Sequence, residues 1–377
     1  MTATLTSRQH EVDDLDAALD LAYESGWSDG LPVVPPTDRR IARFLDENGY
    51  AADAEIVTIP ERRRTITAEK VAINAVMAGC RPEYFPVVVA ILEAMTDPAF
   101  KFNHLASLGS PWPLMVVNGP IARELGMHHG IYLFGPGSRP NLTIGRAVSL
   151  TLRNCAGARA EEVQRGQWGN GLRFTGCIAE NEDAGWEPLH VERGFAREDD
   201  AVTVLSSYPG SPAHITINLA GIDGEEPARM LDGACHAMAG WGGAQWTRGR
   251  YGLLVPPHMV AIFVKEGWSK ADVVDYVVEN TTSTIADLKR RGAWARLMTT
   301  VTHDDIKPDP GDEATHLHLL KRNPDHDEYL ALTSALEHRE LGVLVVAAGG
   351  DAGSRMQMTI PYQVSSNAVT KPIRRPS

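Results

Sequence analysis

The run at residues 84–95, YFPVVVAILEAM, is apolar on every side of the helix it predicts. A helix with no polar face has no side to offer to water, so it must lie deep in the protein. No run of 18 apolar residues occurs in the chain, so no membrane span and no membrane partner are expected. The 377 residues are 43% hydrophobic and 22% charged, a soluble globular balance, and enough chain to bury a large core without disulfides. That length allows one large domain or two ordinary ones.

The neighbouring patterns supply the covering elements. Asp14 to Ser25 is an amphipathic helix, and Asp29-Gly30 then turns into a proline-fixed, extended track, LPVVPPT. Thr37 or Asp38 caps a helix over 39–47, and 54–59 is a short strand. Thr67 caps a helix that stops at Gly79, with Cys80 just beyond it. Residues 112–118 form a strand that runs into Asn118-Gly119-Pro120, a sharp turn at a strand C-terminus, the edge that carries ligands in α/β proteins. Further strands are expected at 201–206, 213–219, 341–348 and 356–363, and helices at 226–239 and, capped by Ser269, at 270–291. Residues 300–329 read as a polar surface excursion. Strands and helices interleave irregularly, so the expected fold is α/β or α+β, a mixed sheet flanked by helices. A soft boundary near 220–230, before a Gly/Trp-rich stretch, divides a main α/β domain (1–225) carrying the site from a second α/β subdomain (226–377) packed on it.

A net charge of −12 and a pI of about 5.5 argue against nucleic acid as a partner, since phosphate binding needs a basic face. The N-terminus lacks a basic segment followed by an apolar run, so no secretory signal is expected. Cysteines 80, 155, 177 and 235 form no CxxC, which suits reduced thiols in a cytoplasm.

Residues 134–192 concentrate the rare residue types. Gly135, Gly137 and Arg139 lead into a helix with Asn141 as its expected N-cap, and Arg146 and Arg153 lie seven residues apart on one face of it. Free N–H groups at such a helix start, with guanidinium forks beside them, suit a small anion. Together with Asn118 these residues are the expected substrate-binding set. Downstream, FTGCIAENE predicts a strand that ends in an acidic loop. Glu180 and Glu182 share one face of it, and with His190 they form the expected acid–base set. A divalent metal on these carboxylates is a lesser alternative, because the spacing matches no strong metal signature. His128-His129 is no better, since adjacent residues point apart. Cys177 and Cys80 are the alternative nucleophiles, on the view that nearby cationic groups lower a thiol pKa. GGDAG at 349–353 resembles a phosphate-binding turn but opens no helix, so the dinucleotide fingerprint fails and no nucleotide cofactor is expected.

Several runs together resemble an uncharacterised bacterial protein family associated with small thiol or selenol proteins named for a UGSC motif. They are DGLPVVPPT (29–37), EKVAINAVMAGCRPEYFPVV (69–88), VVNGPIARELG (116–126), FGPGSRPNLTIGRA (134–147), CIAENEDAGWEPLHVERGF (177–195) and EGWSKADV (266–273). The resemblance covers most of 27–275, and the chain carries no UGSC stretch of its own. It implies a soluble bacterial enzyme working beside thiol chemistry, with a small thiol protein as a partner. The leading expectation is a cytoplasmic, homo-oligomeric enzyme that acts on a small anionic organic molecule by acid–base chemistry of the lyase or hydratase type. The alternatives are cysteine-dependent thiol chemistry and a non-catalytic small-molecule-binding subunit.

Overall fold

The computed structural model describes residues 4–105, 110–159, 163–164, 166, 169–207, 213–216, 227–242, 250–291, 307–321, 341–351, 353, 355–361 and 367–376. Among them the strands are, in chain order, β1 Glu55–Ile59, β2 Arg64–Thr67, β3 Trp112–Asn118, β4 Cys177–Ala179, β5 Ala201–Ser207, β6 Ala213–Thr216, β7 Arg250–Val255, β8 Thr282–Thr284, β9 His316–His318, β10 Gly342–Ala347, β11 Arg355–Thr359 and β12 Val369–Pro372. β1–β2 and β8–β9 are separate antiparallel pairs. The other eight strands make two mixed four-stranded sheets, ordered β12-β5-β3-β4 and β10-β7-β11-β6. In the first, only β3 and β4 run parallel. In the second, only β10 and β7 do.

The alternation of side chains along each strand shows how the sheets stack. On β3, Met115 and Val117 join one core with the helices Ala68–Ala78, Phe85–Thr96 and Arg139–Cys155. Leu114 and Val116, which point the other way, join a central core with Leu205 of β5, Leu254 of β7, and Leu344 and Val346 of β10. On β10, Val343, Val345 and Ala347 face a third core, with Met230, Phe263 and Val277 from the helices Pro227–Gly242, Pro257–Lys265 and Lys270–Asn280. The result is four layers: helices, sheet, sheet, helices. Strands buried on both faces explain the continuous apolar runs LMVV in β3 and VLVVA in β10. Gly252 of β7 sits between the sheets, where a Cβ would meet Thr359 Oγ1 and lie 3.2 Å from Leu205 Cδ2.

The helix Phe85–Thr96 is enclosed as its sequence requires, with residues 85–92 all buried. It packs on β1, β5, β12 and the Arg139–Cys155 helix. The Ala68–Ala78 helix has its predicted ends: Thr67 caps it, and Gly79, at φ +89°, closes it in the left-handed conformation. The fold is therefore a mixed-sheet α/β or α+β one, as expected. No helix among the described residues is long and apolar enough to cross a membrane.

Some boundaries differ. The expected helix over 270–291 ends at Asn280. The threonine-rich segment Thr282–Thr284 pairs with β9 instead, and Thr284 caps a new helix, Ile285–Arg290. FTGC does not begin a strand: Leu172–Thr175 is a helical turn, and β4 starts at Cys177. The chain changes sheet between Ser207 and Ala213, ahead of the expected boundary at 225/226, and β12 returns to the first sheet although the sequence placed it in the second subdomain. Residues 243–249 of the Gly/Trp-rich stretch, 217–219 of an expected strand, and 300–306 and 322–329 of the polar segment lie outside the described residues. Of that last segment, Leu317, Leu319 and Leu320 are buried rather than a surface excursion.

Candidate functional site

β3 and β4 run parallel, so their C-terminal ends bring Asn118-Gly119 and Glu180-Asn181-Glu182 to one edge. Gly119 has φ +93°, and a Cβ there would collide with Asp199 O, so only glycine fits this turn. The turn aims the Gly119 N–H at Glu182 Oε1, 2.6 Å away. Glu182 also accepts from Asn118 Nδ2 at 3.2 Å and ion-pairs with the exposed Arg123 at 3.2 Å. The Asn118 Oδ1 atom is buried with no hydrogen-bond partner.

Glu180 lies at the junction of the two sheets, its side chain 1% exposed. Oε2 accepts from Asn118 Nδ2 at 2.7 Å and Leu189 N at 2.6 Å. Oε1 accepts from Ala347 N, at the end of β10, at 3.4 Å and from Lys270 Nζ at 3.1 Å. Lys270 is only 3% exposed and spends its other donors on Glu187 O at 2.9 Å and Glu192 Oε2 at 3.2 Å. A continuous polar chain therefore runs Glu192–Lys270–Glu180–Asn118–Glu182. Burial pushes the Glu192 carboxyl up to about 7; the Glu180 and Glu187 charges add to this and Lys270 opposes it. A carboxyl that changes charge near neutrality is suited to give or take a proton.

Beside this chain, His129 is half-buried and its Nδ1 has no partner. Burial and the His128 charge lower its pKa against the pull of Asp183 and Glu182. Its carbonyl accepts from Gly349 N at 2.8 Å. Gly350 follows, where a Cβ would lie 2.8 Å from Ile131 Cα. Gly349 and Gly350 thus serve close docking on the 128–131 loop. His128 turns elsewhere, its Nε2 2.6 Å from Ile131 O. No group of three His, Cys, Asp or Glu among the described residues is arranged to hold a metal.

The three arginines expected to hold an anion do not converge. Arg139 donates to Gly79 O at 3.1 and 2.9 Å, closing the C-terminus of the Ala68–Ala78 helix. Arg146 grips Asp29 with two 2.8 Å bonds and also reaches Leu31 O and Pro32 O. Burial opposes the Asp29 charge, but the Arg146 bonds and charge outweigh it and hold that carboxyl below its usual range. Arg146 therefore anchors the proline-rich crossover. Arg153 lies at the far end of the same helix. Asn141 is not the N-cap; Ser138 is, and the buried Asn141 instead exchanges hydrogen bonds with the His128 backbone. Gly135 packs on the Tyr132 ring and Gly137, at φ +130°, shapes the loop.

Two further expectations fail on burial. His190 is fully enclosed, with Nε2 3.4 Å from Arg197 O, so its ring has no access to a substrate. Cys80 gives its thiol to Thr143 O at 3.2 Å, and burial pushes it up to about 12 against the Thr143 bond and the Arg139 and Arg146 charges. Cys177 faces the helical core, fully buried, and burial raises it further, with Cys80 adding. Neither is a thiolate near neutral pH.

Sequence reasoning missed Lys270 and Arg123; it placed Glu192 beside His190 rather than on Lys270, and weighed His129 only as a metal ligand. Lys270 left one signal. It stands first in a helix, where the dipole disfavours a cation, so an anion had to be waiting for it. Comparison of the chain with protein-family models, curated proteins and solved structures finds no match among any of them, and the reading of this edge rests on its geometry.

Proposed function

We propose that the chain is an enzyme performing acid–base chemistry, of the lyase or hydratase type, on a small anionic organic molecule at the edge where β3, β4 and β10 end. The observation that carries this reading is the buried Lys270 ammonium shared by Glu180 and Glu192, with Glu182 joined to the same chain through Asn118. Two carboxyls in unlike settings divide acid and base roles. In an elimination, Glu182 takes a proton from the carbon next to the substrate carboxylate. Glu192 gives a proton to the departing hydroxyl, which leaves as water; hydration is the reverse. Arg123 and Arg197, both exposed beside Glu182, supply the positive charge for the substrate carboxylate in place of Arg139, Arg146 and Arg153. Glu180 and Lys270 position the carboxyls.

The reading needs no thiolate, and the enclosed Cys80 and Cys177 disfavour the thiol alternative. A cytoplasmic homo-oligomer with a small thiol protein as partner remains part of the proposal through the family resemblance alone. The test is a panel of small hydroxy and unsaturated carboxylates in D2O, with deuterium incorporation followed by proton NMR. Wild type should exchange or convert at least one of them, and Glu182→Gln should lose this while keeping its circular dichroism spectrum and melting temperature. Full activity in Glu182→Gln discards the assignment. Tight binding with no exchange of any ligand favours a binding subunit.

A further inference from the structure

At the other end of β3, away from Glu180, two guanidinium groups meet with no carboxylate beside them among the described residues. Arg173, in the turn Leu172–Thr175 ahead of β4, lies over Trp112, its guanidinium carbon 4.2 Å from the ring centroid. It donates Nη2 to Gln164 Oε1 at 2.9 Å. Arg153, in the last turn of the Arg139–Cys155 helix, has its Nε buried with no partner. Neither arginine forms an ion pair with a carboxylate among the described residues. Burial, and then the Arg153 charge, push Arg173 down to about 10. Trp112 is itself fully buried, yet its Nε1–H has no acceptor. Ser207 is the register partner of Trp112 and so lies on the same face; it too is fully buried, with an unpartnered hydroxyl.

Crowding like charges out of water and leaving buried donors unused both cost stability. In a chain of net charge −12, carboxylates to answer these arginines are plentiful, yet none among the described residues does so. Arg146 on the same helix is answered by Asp29, which makes the contrast local. The indole N–H only donates, so its missing partner is an acceptor. Guanidinium forks match the oxygens of a carboxylate or phosphate, and the indole beneath Arg173 holds one fork in place in advance.

We propose that Arg153, Arg173 and Trp112 form a binding site for an oxyanion, the carboxylate or phosphate group of a small molecule, at the end of β3 remote from Glu180. The site is distinct from the acid–base edge. Arg153 is twelve residues along the helix from Asn141, roughly 18 Å at the helical rise per residue. It stands or falls independently of the proposed reaction.

The experiment is titration calorimetry of the full chain with inorganic phosphate and, separately, acetate, at constant ionic strength set with chloride. Wild type should bind at least one of the two saturably in the millimolar range, and the arm that saturates names the group recognised. Arg173→Gln and Arg153→Gln should each weaken it at least tenfold. Trp112→Phe, which keeps the ring under Arg173 and removes only the N–H, should weaken it several-fold. Should either glutamine variant fail to fold, Arg153→Lys, which keeps the charge and loses the fork, carries the test with Trp112→Phe. No saturable binding of either anion, or binding by the folded variants equal to wild type, overturns the proposal.

Discussion

Replacing Lys270 with methionine gives the sharpest view of the buried polar chain. The change removes a 3%-exposed ammonium and leaves Glu180, 1% exposed, with Oε1 accepting only the 3.4 Å bond from Ala347 N. Glu187 O and Glu192 lose a donor as well. Removing one partner of a buried pair costs about 3–5 kcal/mol, because the other charge stays behind without compensation. Against a total stability of roughly 5–15 kcal/mol, that is a large share. The urea midpoint should fall by on the order of 1 M at pH 8. Glu180→Gln combined with Lys270→Met should cost less than the sum of the single changes by more than about 1 kcal/mol, as for groups in one network. A deficit below about 1 kcal/mol at pH 8, or a double variant whose cost equals the sum of the single ones, would refute the reasoning that Lys270 neutralises a buried carboxylate.

Two further outcomes follow from the same edge and its cysteines. The Glu192 carboxyl is raised in the folded state from its ordinary 4.5 to about 7, so the folded protein holds a proton that the unfolded chain has released. Its contribution to stability is complete below pH 4.5, declines as pH rises to about 7, and is flat above. The difference between wild-type and Glu192→Gln urea midpoints should show that slope, on the order of 1 kcal/mol after solvent screening, and a pH-independent difference contradicts it. Cys80 and Cys177 should react with iodoacetamide only as fast as the protein unfolds, read by mass spectrometry, and rapid labelling of either in the native protein reinstates thiol chemistry.

Local signals carried much of the fold. The all-apolar 84–95 run, the Thr67 and Ser269 caps and the Gly79 stop each act within one or two turns, so the sequence displays them directly. The edge at Asn118-Gly119-Pro120 was legible for the same reason, and Glu180 and Glu182 follow from the strand that ends beside it. The four-layer stacking was not, because a strand buried on both faces looks the same whatever covers it. The site's pairings were also hidden. Arg146 meets Asp29 across 117 residues and Lys270 meets Glu180 across 90, and nothing near either arginine or lysine tells which carboxylate it will find. Three arginines on one helix suggested a single anion site. A helix long enough to place them on one face also carries them to different ends of the sheet.

The central claim is that one carboxyl of the Glu192–Lys270–Glu180 cluster changes charge near neutral pH. Carbon-13 NMR of the protein labelled at glutamate side-chain carboxyls, with Glu192→Gln to assign the resonance, measures it without knowledge of a substrate. A Glu192 midpoint near 7 is the predicted result; titration near 4.5, as for an ordinary surface glutamate, contradicts the account.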